Sequence, residues 1–529
     1  MKKLLKAIFV GFLGTSFSFG SVACKSYPNY KLPPIDDAKY TNRFHVQNPT
    51  TGMMNDIQGG FFRDNKWHIY FLQNADGIFD PSGYNHGKFG SVWYHVTTTD
   101  WINWKYEGPA VPKYTTKYGD QASGTFFEDV NNDFGYGSKA IIAVTTSYSD
   151  EGQNIMMFYS IDGGYKFDPV KEEPILWNLH KKTNENFRDP YFFKKDNKFI
   201  MYIAEENEFG VYVSNKPTSG FEKTGSFKAD HPMLECPNLF QMNVSNNECA
   251  KKWVAIYGGN GEWGDNADGL STGTYYITGT LDENTYIFKP DEDQTYKRID
   301  FGPDFYAAKF VTKSSSNVDL DSLIATAWVS NWNYNFSVPN DGRLGNMSLA
   351  RELKLVNQGS IEKPVYYINS SYLGFDDYKV TKEGEYSNDS DLIEKENLAG
   401  QFYKLDLLFD NLKSTEDKIN LYIGDEQYDV NVIIDFLNNK IAVTRSINQD
   451  FHFGKEAFEK QRVFDINREN VNDKSILEIY NDKTILEFKF LDGSTFTMLK
   501  YPDGVTKEKV KLTSEKESIN YKYYQIVQD

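Results

Sequence analysis

The sequence predicts an all-β protein: a five-bladed β-propeller followed by a C-terminal β-sandwich. Three observations carry that expectation. Aromatic residues are abundant, with 9 Trp, 36 Tyr and 39 Phe among 529 residues, and Tyr and Phe at such density favour strands over helices. The body of the chain lacks helical periodicity and instead alternates short aromatic or β-branched runs with turns such as Arg63-Asp64-Asn65 and Asp162-Gly163-Gly164. One unit also recurs five times: a small or acidic polar residue, an apolar strand, a turn and a second strand. Its leading residues are Asp56, Ser123, Asp189, Glu235 and Asp304, spaced 67, 66, 46 and 69 residues apart. Five such hairpins, each with room for two further strands, fit five blades around a common axis. In that arrangement residues remote in sequence meet at one mouth.

Taken in order, residues 1–24 combine a basic start (Lys2, Lys3, Lys6), an apolar run from Ala7 to Gly20 and the ending Ser21-Val22-Ala23-Cys24. This is the pattern of a secretory signal, and its small-small-Cys ending is similar to a bacterial lipobox, which would make Cys24 the lipidated first residue of an exported chain. The alternative is ordinary cleavage with Cys24 as a bystander. Residues 25–39 are polar and contain proline, as a tether would. Residues 40–358 hold the five repeats and form the expected propeller. Beyond a Ser/Asn/Asp/Glu-rich joint (Asn369 to Asn397) come strand-like runs at Tyr403–Phe409, Val430–Phe436, Ile476–Tyr480 and Thr484–Phe490, with Asp492-Gly493 as a hairpin turn. Residues 359–529 are therefore the expected sandwich.

The charge balance excludes several functions. With 57 Lys+Arg against 74 Asp+Glu the net charge is −17, the wrong sign for phosphate backbones or for docking on anionic lipid through the folded body. The seven His are scattered with no ligand spacing, and CxxC and HExxH are absent, so neither a metal nor another cofactor is expected. Cys236 and Cys249 read as free thiols rather than a bridge. Gly259 to Gly264 match GxGxxG, but a dinucleotide site needs a following helix, and here an Asp/Asn-rich turn and another strand follow.

Three contexts hold candidate chemistry: Asn55-Asp56, Arg188-Asp189-Pro190 and Glu235-Cys236-Pro237. Each places a carboxylate at the start of a strand expected at the mouth. A lone Asp before a strand is usually a turn or cap residue. Three carboxylates converging in an aromatic-rich pocket instead suit glycoside cleavage, in which one carboxylate lies at the anomeric carbon and a protonated one lies near the leaving oxygen. Crowding of like charges raises one pKa and supplies that proton.

The stretch from Phe44 to Asn74, with Phe187-Arg188-Asp189-Pro190 and Leu234-Glu235-Cys236-Pro237, resembles glycoside hydrolase family 32, the invertases, inulinases and levanases. Further matching stretches run in order from about residue 40 to 355 and continue at 475–494. The resemblance implies the propeller and sandwich and a retaining double displacement on β-D-fructofuranosyl linkages. Asp56 would be the nucleophile, Glu235 the acid/base and Asp189 the transition-state stabiliser. Asn55, Gln73, Ser123 and Arg188 would hydrogen-bond fructose hydroxyls, Phe89 and Trp93 would wall the pocket, and Trp263 would stack on a sugar beyond the cleaved bond. Two positions depart from the family pattern: Ile57-Gln58 follows the nucleophile where Pro-Asn is common, and Tyr94 stands where Gly is common. Gln58 resembles some levan-degrading members. The implied substrate is an extracellular fructan, levan before inulin or sucrose. Two other readings stay open: a fructosyltransferase, and a sugar-binding surface lipoprotein without turnover.

Overall fold

The structure is a computed structural model that describes residues 35 and 37–527, apart from 181–184, 248, 265–266, 413–414 and 515–517. Cys24, the leader and most of the tether lie outside the described residues. The fold is mostly β. Among the described residues α-helix is confined to Asp37–Tyr40, Leu392–Lys395 and Lys455–Glu459, and no helix is long and apolar enough to cross a membrane.

Residues 52–372 make five antiparallel sheets in chain order. Each opens with a strand carrying one of the repeat positions or lying just after it: Gly52–Arg63, Asp120–Glu128, Arg188–Lys195, Glu235–Asn243 and Tyr306–Val311. Each opening strand touches the next, and Tyr306–Val311 touches Gly52–Arg63, so the five form a closed ring. A short parallel pairing of Gly52 and Met53 with Arg343 and Leu344 joins the end of this region to its beginning. Apolar residues fill the seams between sheets. Tyr70, Trp93, Phe126 and Phe158 pack together between the first and second sheets, and Phe192, Phe199, Ile142 and Met157 between the second and third.

The fifth sheet runs beyond the expected division at 358/359. Strand Tyr366–Tyr372 pairs along its length with Arg351–Asn357. Asn369 and Ser371 take exposed positions of this strand, which is why its end carries the polar texture of a joint.

Residues 382–525 form two further sheets, one of six strands and one of five. They share a single apolar core, in which Leu405, Leu407, Leu477 and Ile479 of one meet Ile419, Leu421, Val430 and Val432 of the other. Strict alternation supplies that face: along Tyr428–Asp435 every second side chain is buried. The Asp492-Gly493 turn closes the hairpin between Ile485–Lys489 and Thr495–Leu499, with Gly493 at φ 87°.

Buried ion pairs lock these two sheets to the ring. Arg351 Nη1 lies 2.6 Å from Asp300 Oδ2, and its Nη2 lies 2.5 Å from Glu487 Oε2, all three side chains fully buried. His45 bridges Asp482 (2.9 Å) and Glu487 (3.1 Å), while Asp482 also accepts the backbone N–H groups of Arg43, Phe44 and His45. Asp304, the fifth repeat position, belongs to this interface rather than to the mouth: its carboxylate takes Arg445 Nη1 at 2.6 Å and the Tyr334 hydroxyl.

Removing one partner of such a pair leaves an uncompensated buried charge. Arg351→Met is expected to cost about 3–5 kcal/mol, measured as a fall in the denaturant midpoint. Burial pushes the Glu487 carboxyl up, but the Arg351 guanidinium and His45 outweigh it and hold the group at about 2 against an ordinary 4.5. A depressed carboxyl stabilises the fold above its unfolded pKa and loses that contribution as pH falls through the window from 4.5 to 2. Acid titration of stability should be steeper across that window in the parent than in Arg351→Met.

Candidate active site

One local irregularity repeats in all five opening strands. In the first, Met54 pairs with Gln73 and Ile57 with Phe71, so Asn55 and Asp56 together face Leu72. In the second, Ala122 and Ser123 face Thr146. Asp189 and Pro190 face Ile203, Cys236 and Pro237 face Tyr257, and Ala307 and Ala308 face Ala327. Two residues against one is a β-bulge, which bends a strand and re-aims its side chains. Pro190 and Pro237 are tolerated because a bulged position need not donate to the ladder. Asp189, Cys236 and Ala307 adopt φ of 58°, 50° and 51°, a region that non-glycine residues seldom occupy and that clusters at functional sites.

The bulges bring the three carboxylates into one connected set of contacts. The Ser123 hydroxyl donates to Asp56 Oδ2 at 2.5 Å, and the Cys236 thiol lies 3.9 Å from the same oxygen. The Cys236 backbone N–H donates to Asp189 Oδ2 at 3.1 Å, while the Asp189 N–H donates to Thr146 Oγ1 at 2.8 Å. Arg188 places Nε 3.9 Å from Asp189 Oδ2 and Nη2 2.9 Å from Glu235 Oε1. The Tyr306 hydroxyl donates to Glu235 Oε2. Asp189, Cys236, Arg188 and Tyr306 are buried, whereas Asn55, Asp56 and Glu235 keep part of their surface open.

This crowding sets the ionisation. Burial, and then the charges of Asp189 and Glu235, push the Asp56 carboxyl up from 3.8 to about 7, against the pull of the Ser123 hydrogen bond and of Lys309. Asp189 is also raised, by burial and by Glu235, although Arg188 opposes the shift. Burial with Asp189 and Asp56 nearby pushes the Cys236 thiol far above its usual range, which keeps it protonated and unreactive. The mouth therefore holds a proton near neutrality, between carboxylates that hydrogen bonds and a guanidinium fix in place. Such a set can deliver a nucleophilic carboxylate and a carboxylic acid at one bond.

The other expected contact residues divide. Asn55 shares the first bulge with Asp56, and Ser123 and Arg188 contact the carboxylates directly. Gln73 is buried opposite Met54 and spends its amide N–H groups on Asn48 (3.0 Å) and Thr50 (3.1 Å). Phe89 is 68 % exposed in a loop held by the Tyr114 hydroxyl, which donates to its carbonyl. Trp263 is half exposed in the loop after Lys251–Asn260, where Lys460 reaches its neighbour Glu262 at 3.2 Å. Trp93 corrects the sequence reading. It has no accessible surface, packs edge-on to Phe126 and donates its indole N–H to the Ala122 carbonyl at 3.0 Å, so it seats the Ser123 strand from behind instead of walling a pocket.

Gln58 and Tyr94 also lie away from the opening. The Gln58 amide donates to the Asp56 carbonyl at 2.7 Å, accepts the Gly124 N–H at 2.8 Å and lies 3.5 Å from Ser123 Oγ, so it ties two opening strands together. Tyr94 stacks on Phe71, on the opposite face of its strand from Trp93. Sequence reasoning missed Tyr306, Cys236 as a contact between two acids, Thr146 and Lys309. Tyr306 and Lys309 lie in an apolar strand with nothing local to mark them.

The family model described as "Glycosyl hydrolases family 32 N-terminal domain" matches residues 45–364. The chain is 28% identical over 502 residues to a levanbiose-producing levanase of Bacillus subtilis (strain 168), covering 92% of this chain and 90% of that one. It is 32% identical over 311 residues to a levanbiose-producing levanase of Geobacillus stearothermophilus, covering 57% and 73%. Among solved structures it is similar to the β-fructofuranosidase of Schwanniomyces occidentalis complexed with fructosyl-erythritol, with a TM-score of 0.76 at 21% identity, covering 93% of this chain and 99% of that one. A model that matches more than half of the chain, carrying all three acids, places the protein in glycosyl hydrolase family 32, and it is a glycosidase.

Proposed function

We propose that this glycosidase is a retaining hydrolase of β-D-fructofuranosyl linkages that acts on extracellular fructan, levan before inulin or sucrose. The observation that carries the reading is the meeting of Asp56, Asp189 and Glu235 with Arg188 in one partly open, desolvated mouth. The likeness to two levanbiose-producing levanases supports levan as the polymer. We read the five sheets as blades of a five-bladed β-propeller, for which the closed contact of the opening strands speaks, and the two later sheets as a β-sandwich around their common core.

In this mechanism a terminal fructosyl unit enters the mouth and its hydroxyls engage Asp189, Arg188 and Asn55. The Asp56 carboxylate attacks C2 as Glu235 gives its proton to the departing glycosidic oxygen, and a covalent fructosyl-Asp56 ester forms. Glu235, now a carboxylate, takes a proton from water; the hydroxide equivalent attacks C2, the ester breaks, and fructose with retained configuration leaves. In the free site Arg188 lies against Glu235, and Asp56 and Asp189 are both raised. Transfer of Arg188 to sugar hydroxyls moves the proton toward Glu235, where the first step needs it. We also propose export and anchoring through Cys24, supported by the basic-apolar-small pattern of residues 2–24.

Three outcomes test this reading. Chromatography of products from levan, inulin and sucrose should give free fructose or short fructosides from levan fastest; sucrose that yields glucose without matching fructose would mark transfer instead. Asp56→Asn and Glu235→Gln should each lower kcat by at least about 10²–10⁴-fold while remaining folded, and persistence of turnover in Asp56→Asn would overturn the assignment. The parent's kcat/KM should fall on the alkaline side with a midpoint near 7, because that titration removes the one proton that the acids share and the leaving oxygen needs. A pH–rate profile that stays flat through 7 would contradict that.

A further inference from the structure

Lys309 follows the fifth bulge, opposite Thr326. It is 2% exposed, and among the described residues its ammonium has no hydrogen-bond partner. It lines a cavity of about 370 Å³ bounded by the opening strands, together with Gln58, Thr125, Asn238 and Asn317. The other charged groups there have partners: Lys194 with Asp133 at 2.7 Å, Lys195 with Asp196 at 2.8 Å and Glu128 with Arg63 at 3.2 Å. An unpaired buried ammonium is costly, and the charges that offset it here are those of the acid cluster. Lys309 acts electrostatically on Asp56, Asp189 and Cys236.

The groups facing this cluster can be named strand by strand. Gly52–Arg63 contributes Asp56, Arg188–Lys195 contributes Arg188 and Asp189, and Glu235–Asn243 contributes Glu235 and Cys236. Tyr306–Val311 contributes Tyr306 and Lys309, Tyr148 interacts electrostatically with Arg188, and Asp120–Glu128 offers the uncharged Ser123 and Thr125 together with Asp120, which burial raises to about 6 and which acts on Tyr148. Cys236, Tyr148 and Tyr306 stay neutral, since burial raises all three. Three carboxylates then face two cations. With one proton held among the acids the cluster is neutral; with Lys309 removed it is neutral only when two protons are held. A displacement that needs one ionised carboxylate to attack, one to stabilise and one protonated to donate requires a single proton.

We propose that Lys309 is a positioning residue that fixes the proton count of the acid cluster at one, its ammonium acting from below the mouth as the counter-charge that allows Asp56 and Asp189 to be ionised together. This rests on the reading of Asp56 as nucleophile and Glu235 as acid. Lys309 touches no substrate; it acts through the acids.

The test is the pH dependence of kcat/KM for sucrose or levan in Lys309→Met, Lys309→Gln and Lys309→Arg, with Asp56→Asn as control. Met matches the length and apolar character of the Lys stem, Gln offers a second neutral side chain if Met packs badly, and Arg keeps the charge. The acid limb should rise by about one pH unit in both neutral variants, the low end of what loss of a nearby opposite charge does to a carboxyl. It should stay at the parent's position in Lys309→Arg, while KM at the pH optimum changes little. An unmoved limb in Met and Gln, with activity lowered by the same factor at every pH, would assign Lys309 to packing and overturn the proposal. If Asp56→Asn is inactive and the limb is unmoved, the Lys309 proposal alone fails; if Asp56→Asn turns over, the reading of the acids fails first.

Discussion

Three carboxylates confined to one desolvated mouth resist carrying charge together, and the rest of the molecule is arranged around that restriction. In water the three groups would ionise independently below pH 5. Here burial and mutual repulsion push Asp56 to about 7, so the site keeps a proton at neutral pH without a specialised donor. The restriction holds only if the acids cannot move apart. Ser123 fixes Asp56, the Cys236 N–H fixes Asp189, and Arg188 with Tyr306 fixes Glu235.

That rigidity comes from the bulges and from the closure of the ring. A regular strand would point alternate side chains into the seams between sheets, where Trp93 and Phe126 pack. Two residues against one breaks the alternation at the same level in each opening strand, and the re-aimed residues are Asp56, Ser123, Asp189 and Cys236 with Ala307. Left-handed backbone at Asp189 and Cys236 carries a conformational cost on the order of 1–3 kcal/mol each, which the surrounding seams offset. Gln58 adds a clasp, bonding one opening strand to the next directly behind the Asp56 side chain.

The two later sheets bear on the site indirectly. Arg351 and Arg445 reach buried carboxylates across the boundary, and Arg462 donates to the Phe301 carbonyl and to the Ser271 hydroxyl. These contacts hold the segment 300–305 that leads into the Tyr306 strand, and with it the hydroxyl on Glu235 and the ammonium of Lys309. A polar, fully buried boundary of this kind resists partial opening, since each broken pair would leave a desolvated charge behind.

Much of this was legible in the chain itself. Aromatic and β-branched runs without helical periodicity determine strands, because side-chain volume and χ1 restriction act locally. The recurring hairpins and the contexts around Asp56, Asp189 and Glu235 mark three carboxylates that the structure brings to one place. Tertiary structure decided the remainder. A bulge exists only relative to a partner strand, so no local pattern announces that Asn55 and Asp56 stand against one residue. Asp304 leads its repeat as Asp56 does, yet an arginine 141 residues away draws it into the interface. Trp93 and Phe89 are both large aromatics near the first repeat, and only packing makes one wholly buried and the other exposed. Lys309 lies in an apolar strand like any stray cation, and its meaning is the field it exerts on acids brought to it by other strands. Local sequence sets what each segment can be; the ring sets which charges share one low-dielectric space, and that sharing is what raises the Asp56 and Asp189 carboxyls.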